Sequence, residues 1–60
     1  MKFTKAEKEL ISQINYAGEL IIDTKWDLNL LAKAKTMISK NPELFYFEIR
    51  KSGLMYVSMA

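Results

Sequence analysis

The chain has 60 residues, nine of them basic and seven acidic, and half of its residues are hydrophobic. A disordered chain would have few apolar residues and a high net charge, so this composition predicts one folded domain over residues 1–60, with a free energy of unfolding of about 3–9 kcal/mol. Because cysteine and histidine are absent, the sequence excludes disulfides, the usual zinc ligand sets and a serine–histidine triad.

A capping box opens the first predicted element. In "TKAE" the Thr4 hydroxyl can accept a hydrogen bond from the Glu7 amide, while the Glu7 carboxylate reaches back to the backbone of Thr4. Apolar residues then recur at helical spacing, which predicts an amphipathic helix over residues 5–17. Gly18 suits the left-handed conformation that commonly ends a helix.

Residues 19–25, "ELIIDTK", are predicted to form a short strand. Their apolar, β-branched centre is bounded by Gly18 and by Asp23 with Thr24, as is typical of a strand. The alternative is one longer helix through Asp23. It remains open because a glycine inside a helix costs only about 1 kcal/mol relative to alanine.

A second helix is predicted in "TKWDLNLLAKAKTMISKNP", with either Thr24 or Asp27 as its N-cap. Trp26 is expected at the edge of the core. Asn41 and Pro42 end the helix, because proline disfavours helical geometry in the residue before it. The predicted buried stripe comprises Leu30, Leu31, Ala34, Met37 and Ile38.

The last segment, "ELFYFEIRKSGLMYVSMA", predicts a β-hairpin. A three-residue loop, "KSG", with Gly53 in the left-handed conformation pairs Arg50 with Leu54 and Ile49 with Met55. A two-residue turn would instead mix polar and apolar residues on each face. The favoured register places one apolar set on the core face: Phe45, Phe47, Ile49, Met55, Val57 and Met59.

The predicted fold class is α+β: a small single domain in the order helix–strand–helix–β-hairpin, with a three-stranded antiparallel sheet packed against two helices. The sequence leaves the strand order open. Unless the first strand pairs with it, the last strand, "LMYVSM", is expected at a sheet edge, where it has no charge, proline or bulge signal to protect it. Such an edge would pair with a second copy or with a partner's strand.

Enzymatic chemistry has little support in the sequence. The pairs Glu7 with Glu9 and Asp23 with Asp27 are expected to cap helices and face solvent. Two isolated glycines form no phosphate-binding loop, and the acidic residues lack the spacing of a calcium loop. We therefore expect no enzyme activity, no cofactor and no metal. With no signal peptide and no long apolar stretch, a cytoplasmic protein without membrane contact is expected.

The second face of the hairpin is the first candidate binding site. Tyrosine, arginine and exposed leucine are the residue types in which protein interfaces are enriched. Unless the first helix covers this face, it is predicted to bind another protein or a second copy. The chain is small, and its residue usage is that expected from an A+T-rich coding sequence. Both features suggest a phage or mobile-element accessory protein that modulates a host protein. The candidate residues are Tyr46, Arg50, Leu54, Tyr56 and Ser58.

The alternative function is a small nucleic-acid-binding regulator. Residues 28–42 contain no acid, and their lysines together with the basic hairpin turn could neutralise phosphates. The order of elements resembles that of winged-helix DNA-binding domains, although the chain lacks room for the helix that usually precedes the recognition helix. A net charge of +2 is mild for a nucleic-acid binder. The candidate residues are Lys33, Lys35, Lys40, Arg50 and Lys51.

Overall fold

A computed structural model describes residues 2–60 and confirms the α+β class, with two helices and a three-stranded antiparallel sheet. None of the helices in this range is long and apolar enough to cross a membrane. The elements are α1 (Lys5–Ala17), β1 (Leu20–Asp23), α2 (Leu28–Lys40), a 3-10 turn (Pro42–Leu44), β2 (Phe45–Ile49) and β3 (Leu54–Met59).

Both ends of α1 form as the sequence predicts. The Glu7 amide donates to Thr4 Oγ1 at 3.2 Å, and the Thr4 amide donates to Glu7 Oε1 at 2.8 Å, which completes the capping box. Gly18 has a φ of 88°, and its amide donates to the Ile14 carbonyl at 2.7 Å. The left-handed glycine turns the chain directly into β1, so the longer-helix alternative is wrong.

The turn between β1 and α2 is tied to the hairpin turn. Asp27 is the last residue before α2, so the helix takes the later of the two predicted starts. Thr24 donates to the Gly53 carbonyl through its hydroxyl at 2.6 Å and through its amide at 3.0 Å.

Trp26 is 82% exposed, which contradicts its predicted place at the core edge. The tight turn, closed by the Asp27 amide donating to the Asp23 carbonyl at 2.9 Å, holds Trp26 outside the core.

The strand order is β1–β3–β2, so the prediction that β3 lies at an edge is wrong. Val57 of β3 has Leu20 of β1 on one side and Phe47 of β2 on the other. Because β1 supplies the second partner, the backbone groups of β3 are satisfied on both sides and β3 offers no edge for pairing. The edge strands of this sheet are β1 and β2.

The predicted hairpin register is confirmed. Ile49 pairs with Met55, and the Arg50 amide donates to the Leu54 carbonyl at 2.9 Å. Gly53 has a φ of 90°, and its amide closes the loop on the Arg50 carbonyl at 2.9 Å. The side chains of each strand therefore alternate between the two faces of the sheet as the sequence predicts.

Both helices pack on one face of the sheet, and the core lies between the two layers. They lie mainly over β1 and β3. Phe47 and Ile49 point to this face, yet they are 50% and 58% exposed, so their prediction as core residues is wrong. The helix layer does not extend over the outer part of β2. The buried core consists of Leu10, Ile14, Leu20, Ile22, Ala34, Met37, Ile38, Phe45, Met55 and Val57.

Candidate functional site

The sheet face opposite the helices, called here the outer face, carries a mixture of aromatic, aliphatic and charged side chains. Its members lie side by side because directly opposed residues in an antiparallel pair share a face. Three cross-strand rows result: Ser58 beside Tyr46; Ile21, Tyr56 and Glu48; and Asp23, Leu54 and Arg50.

Arg50 is held in place on the outer face by two neighbours. Its guanidinium carbon lies 4.1 Å from the centre of the Tyr56 ring, and its Nε donates to Glu48 Oε2 at 3.0 Å. The hydrogen bond to Glu48 raises the pKa of Arg50 above its ordinary value. Because the ion pair is exposed, it contributes little to stability. Its effect is to fix the guanidinium group beside the tyrosine ring.

The outer face is open to solvent in the part of the chain that the structure describes. Tyr46 is 61% exposed and Ile21 is 48% exposed, while Tyr56 and Leu54 on the central strand are half-buried by their neighbours. The sequence left open whether α1 covers this face, and α1 packs on the other side of the sheet.

All five predicted protein-binding residues lie together on the outer face: Tyr46, Arg50, Leu54, Tyr56 and Ser58. Sequence reasoning missed Ile21, which lies directly opposite Tyr56 at the middle of the face. Alternation along "LIID" allows either Ile21 alone, or Leu20 together with Ile22, on the core side of the sheet. The buried pair Leu20 and Ile22 decides between them and places Ile21 outside.

The cations of the alternative site do not converge. Lys40 Nζ lies 2.6 Å from Glu7 Oε1 and 3.1 Å from the Lys2 carbonyl, so it joins the end of α2 to the start of α1. The Glu7 carboxylate is buried in this contact, whereas the sequence suggested a solvated cap. The hydrogen bond from Lys40, aided by the Thr4 amide, lowers the pKa of Glu7.

The remaining cations lie on separate surfaces. Lys33 lies two turns before Lys40 and shares its flank of α2, whereas Lys35 lies on the other flank beside β2. Arg50 is paired with Glu48 on the outer face, and Lys51 is exposed in the hairpin loop. A nucleic acid would not find these five cations on one continuous surface.

A narrow apolar groove of about 180 Å³ separates α2 from β2. The groove is lined by Lys35, Ile38, Ser39, Phe47, Ile49 and Met55.

The chain matches no family model, no curated protein and no solved structure. Across residues 2–60 no three acidic side chains converge in a way that could hold a metal ion. The surfaces themselves, the outer face and the groove, are thus the basis for arguing function.

Proposed function

We propose that the protein is a small non-enzymatic interaction module that binds another protein through the outer face of its sheet. The observation that carries the proposal is the one-sided covering of the sheet. Both helices pack on the core face, and the other face presents Tyr46, Ile21 and the stacked pair Tyr56 and Arg50 to solvent. Tyrosine and arginine dominate the residues that contribute most to protein–protein binding energy.

The geometry favours a partner with an apolar centre and a nearby carboxylate. Ile21 and Tyr56 are the apolar members of the middle row, and Arg50 lies one row away beside Leu54. Only Nε of Arg50 bonds to Glu48 in residues 2–60, so its terminal nitrogens are free to form a bidentate pair with a partner's carboxylate. Because Arg50 is already positioned, little side-chain entropy is lost on binding.

The separation of the cations weighs against the nucleic-acid alternative. Phosphate binding needs several cations that act on the same strand, and here Lys40 is engaged with buried Glu7 while Lys35 and Lys33 lie on different flanks of α2. A phage or mobile-element origin, with a host protein as the target, stays a prediction from residue usage.

The proposal is tested by affinity capture from cells of the source organism with matched variants. Tyr56→Arg places a second cation beside Arg50 in the middle of the outer face and should abolish capture of the partner. Tyr16→Arg is the control, because Tyr16 is a 96% exposed tyrosine on α1, which packs on the face of the sheet opposite the outer face. Circular dichroism spectra of both variants should match that of the unaltered protein, and this match would show that the fold is intact.

Two results would overturn this function. One is equal capture of the partner by Tyr56→Arg and by Tyr16→Arg. The other is recovery of nucleic acid in place of protein, with binding that falls steeply with salt and is weakened by Lys33→Glu.

A further inference from the structure

The open edge of β2 differs from the other sheet edge in its chemistry. β1 has four residues, ends in Asp23 and follows Glu19, so acidic groups flank its edge. β2 reads "FYFEI" and carries one charge, Glu48, which points to the outer face. Charged and short edges resist pairing with another strand, and β2 has little of that protection.

The hydrogen-bond pattern determines which backbone groups of β2 face outward. The Arg50 amide donates to the Leu54 carbonyl, and in an antiparallel ladder this bonding recurs at every second residue. Tyr46 and Glu48 are thus the residues bonded to β3. The amides and carbonyls of Phe47 and Ile49 point to the open edge, and the side chains of the same two residues are half exposed.

The edge and the groove form one continuous surface. Phe47 and Ile49 line the groove together with Ile38 and Lys35 of α2. A strand added beside β2 would bond to its free backbone groups, and its alternate side chains would lie against the groove. The side chains of the added strand would cover Phe47 and Ile49, the two apolar residues that the helix layer leaves exposed.

We propose that the occupant is a second copy of this chain, with β2 of each copy pairing antiparallel about a two-fold axis at Phe47. This register sets Phe47 against Phe47 of the second copy and Phe45 against Ile49 of the second copy. On the outer face it places Tyr46 beside Glu48 of the second copy. The two sheets then join into a six-stranded sheet with all helices on one side.

Charge complementarity selects both the second copy and this register. The same two-fold brings Glu43 near Lys51 of the second copy at each end of the paired strands, and both residues are exposed. A shift by two residues would place Glu48 directly against Glu48 of the second copy, which is unfavourable between opposed strands. In this register, the charges of β2 and its flanking residues are therefore complementary to those of the antiparallel second copy.

The size of the surface sets the expected affinity. The smallest stable interfaces bury about 600 Å² on each copy, which is roughly one seventh of the 4396 Å² that this chain exposes. Phe47, half exposed, offers on the order of 100 Å² of this. We expect the strand edge and the flank of α2 together to reach only this lower limit, and therefore a dissociation constant on the order of tens of micromolar.

The test measures molecular mass by sedimentation equilibrium from about 1 to about 500 µM, a range that brackets the expected dissociation constant. The unaltered chain should pass from monomer to dimer across this range. Phe47→Lys places a charge at the two-fold and should raise the dissociation constant by about 100-fold or more. Tyr16→Lys alters a more exposed aromatic residue, on α1 and outside the proposed interface, and should dimerise as the unaltered chain does.

Cross-linking provides a second measurement that does not depend on the folding of the lysine variant. The chain has no cysteine, and hydrogen-bonded residues opposed in an antiparallel pair have Cα atoms about 5.5 Å apart, within disulfide range. Phe47→Cys should form a covalent dimer on mild oxidation much faster than Tyr16→Cys. A monomeric unaltered chain at the highest concentration, dimerisation that Phe47→Lys leaves unchanged, or equal cross-linking of the two cysteine variants would each overturn the proposal.

The edge of β2 adjoins the outer face at Tyr46 and Glu48, but Tyr56 lies on the central strand β3, so different substitutions test the two proposals and they fail separately. Loss of partner capture in Tyr56→Arg with the dimer retained would support the proposed function. A monomeric chain that still captures its partner would overturn only the dimer.

Discussion

A pair of isoleucines on β1 provides the most direct test of the one-sided sheet. Ile22 is fully buried and Ile21, its neighbour, is 48% exposed on the outer face. Substitution by alanine removes three carbon groups in each case. At about 0.8 kcal/mol per buried group, plus a cavity term, Ile22→Ala should cost about 3 kcal/mol. Ile21→Ala loses about half of the transfer term and leaves no closed cavity, so it should cost about 1 kcal/mol.

The assay is urea unfolding followed by circular dichroism. For a domain this small the slope is about 1 kcal/mol per molar urea, so the midpoints should fall by about 3 M and about 1 M. Both variants lose β-propensity on the same strand, and that contribution largely cancels in their difference. If Ile22→Ala is already unfolded, the valine substitutions give the same comparison at about one third of the size. Equal losses at the two positions would mean that the outer face is covered, and the proposed binding face would be lost with it.

Two further predictions concern the buried ion pair and the glycine turns. Glu7→Gln keeps an oxygen for the Thr4 amide but removes the charge facing Lys40. Because the pKa of Glu7 is lowered in the folded state, its contribution to stability is present above its ordinary value of 4.5 and is lost as the pH falls through the lowered folded value. Thermal unfolding should therefore show a gap between the unaltered chain and Glu7→Gln at pH 7 that closes in acid, and a gap independent of pH would contradict the assignment. Gly18→Ala and Gly53→Ala should each cost about 1–2 kcal/mol from left-handed strain. A new Cβ would meet nothing within 4 Å at Gly18, and at Gly53 its nearest contact would be an ordinary one, at 3.6 Å to Lys25 Cε, so steric clashes add nothing to this cost. A neutral effect of either substitution in urea unfolding would contradict the left-handed conformation described for that glycine.

Local signals in the sequence were sufficient for the elements and the hairpin. The capping box at Thr4 and the left-handed Gly18 fix the two ends of α1 through bonds within a few residues. Gly53 in the loop fixes the register of β2 against β3, and the register in turn separates the two faces of the hairpin. These features depend on neighbours in the chain, so a single sequence contains the information.

Apart from Trp26, which a local turn between Asp23 and Asp27 holds outside the core, the features that sequence reasoning missed depend on distant residues. The placement of β3 between the other strands depends on β1, whose pairing with Val57 spans 37 residues of chain from Leu20. The buried contact between Glu7 and Lys40 joins two helices across 33 residues. Phe47 and Ile49 carry the alternation of core residues, and only the lateral position of α2 decides that they stay half exposed. Hydrophobic alternation indicates a face of the sheet, whereas burial also requires a second layer above it.

The sheet order has a consequence for biosynthesis. β3 is made after β1 and β2, and both of these strands depend on it for their backbone partners. On the ribosome the two outer strands must therefore wait with unpaired edges and exposed apolar side chains until β3 has emerged from the exit tunnel. The sheet then closes in one late event, so we expect α1 and α2 to be the only ordered parts of a stalled nascent chain that lacks β3.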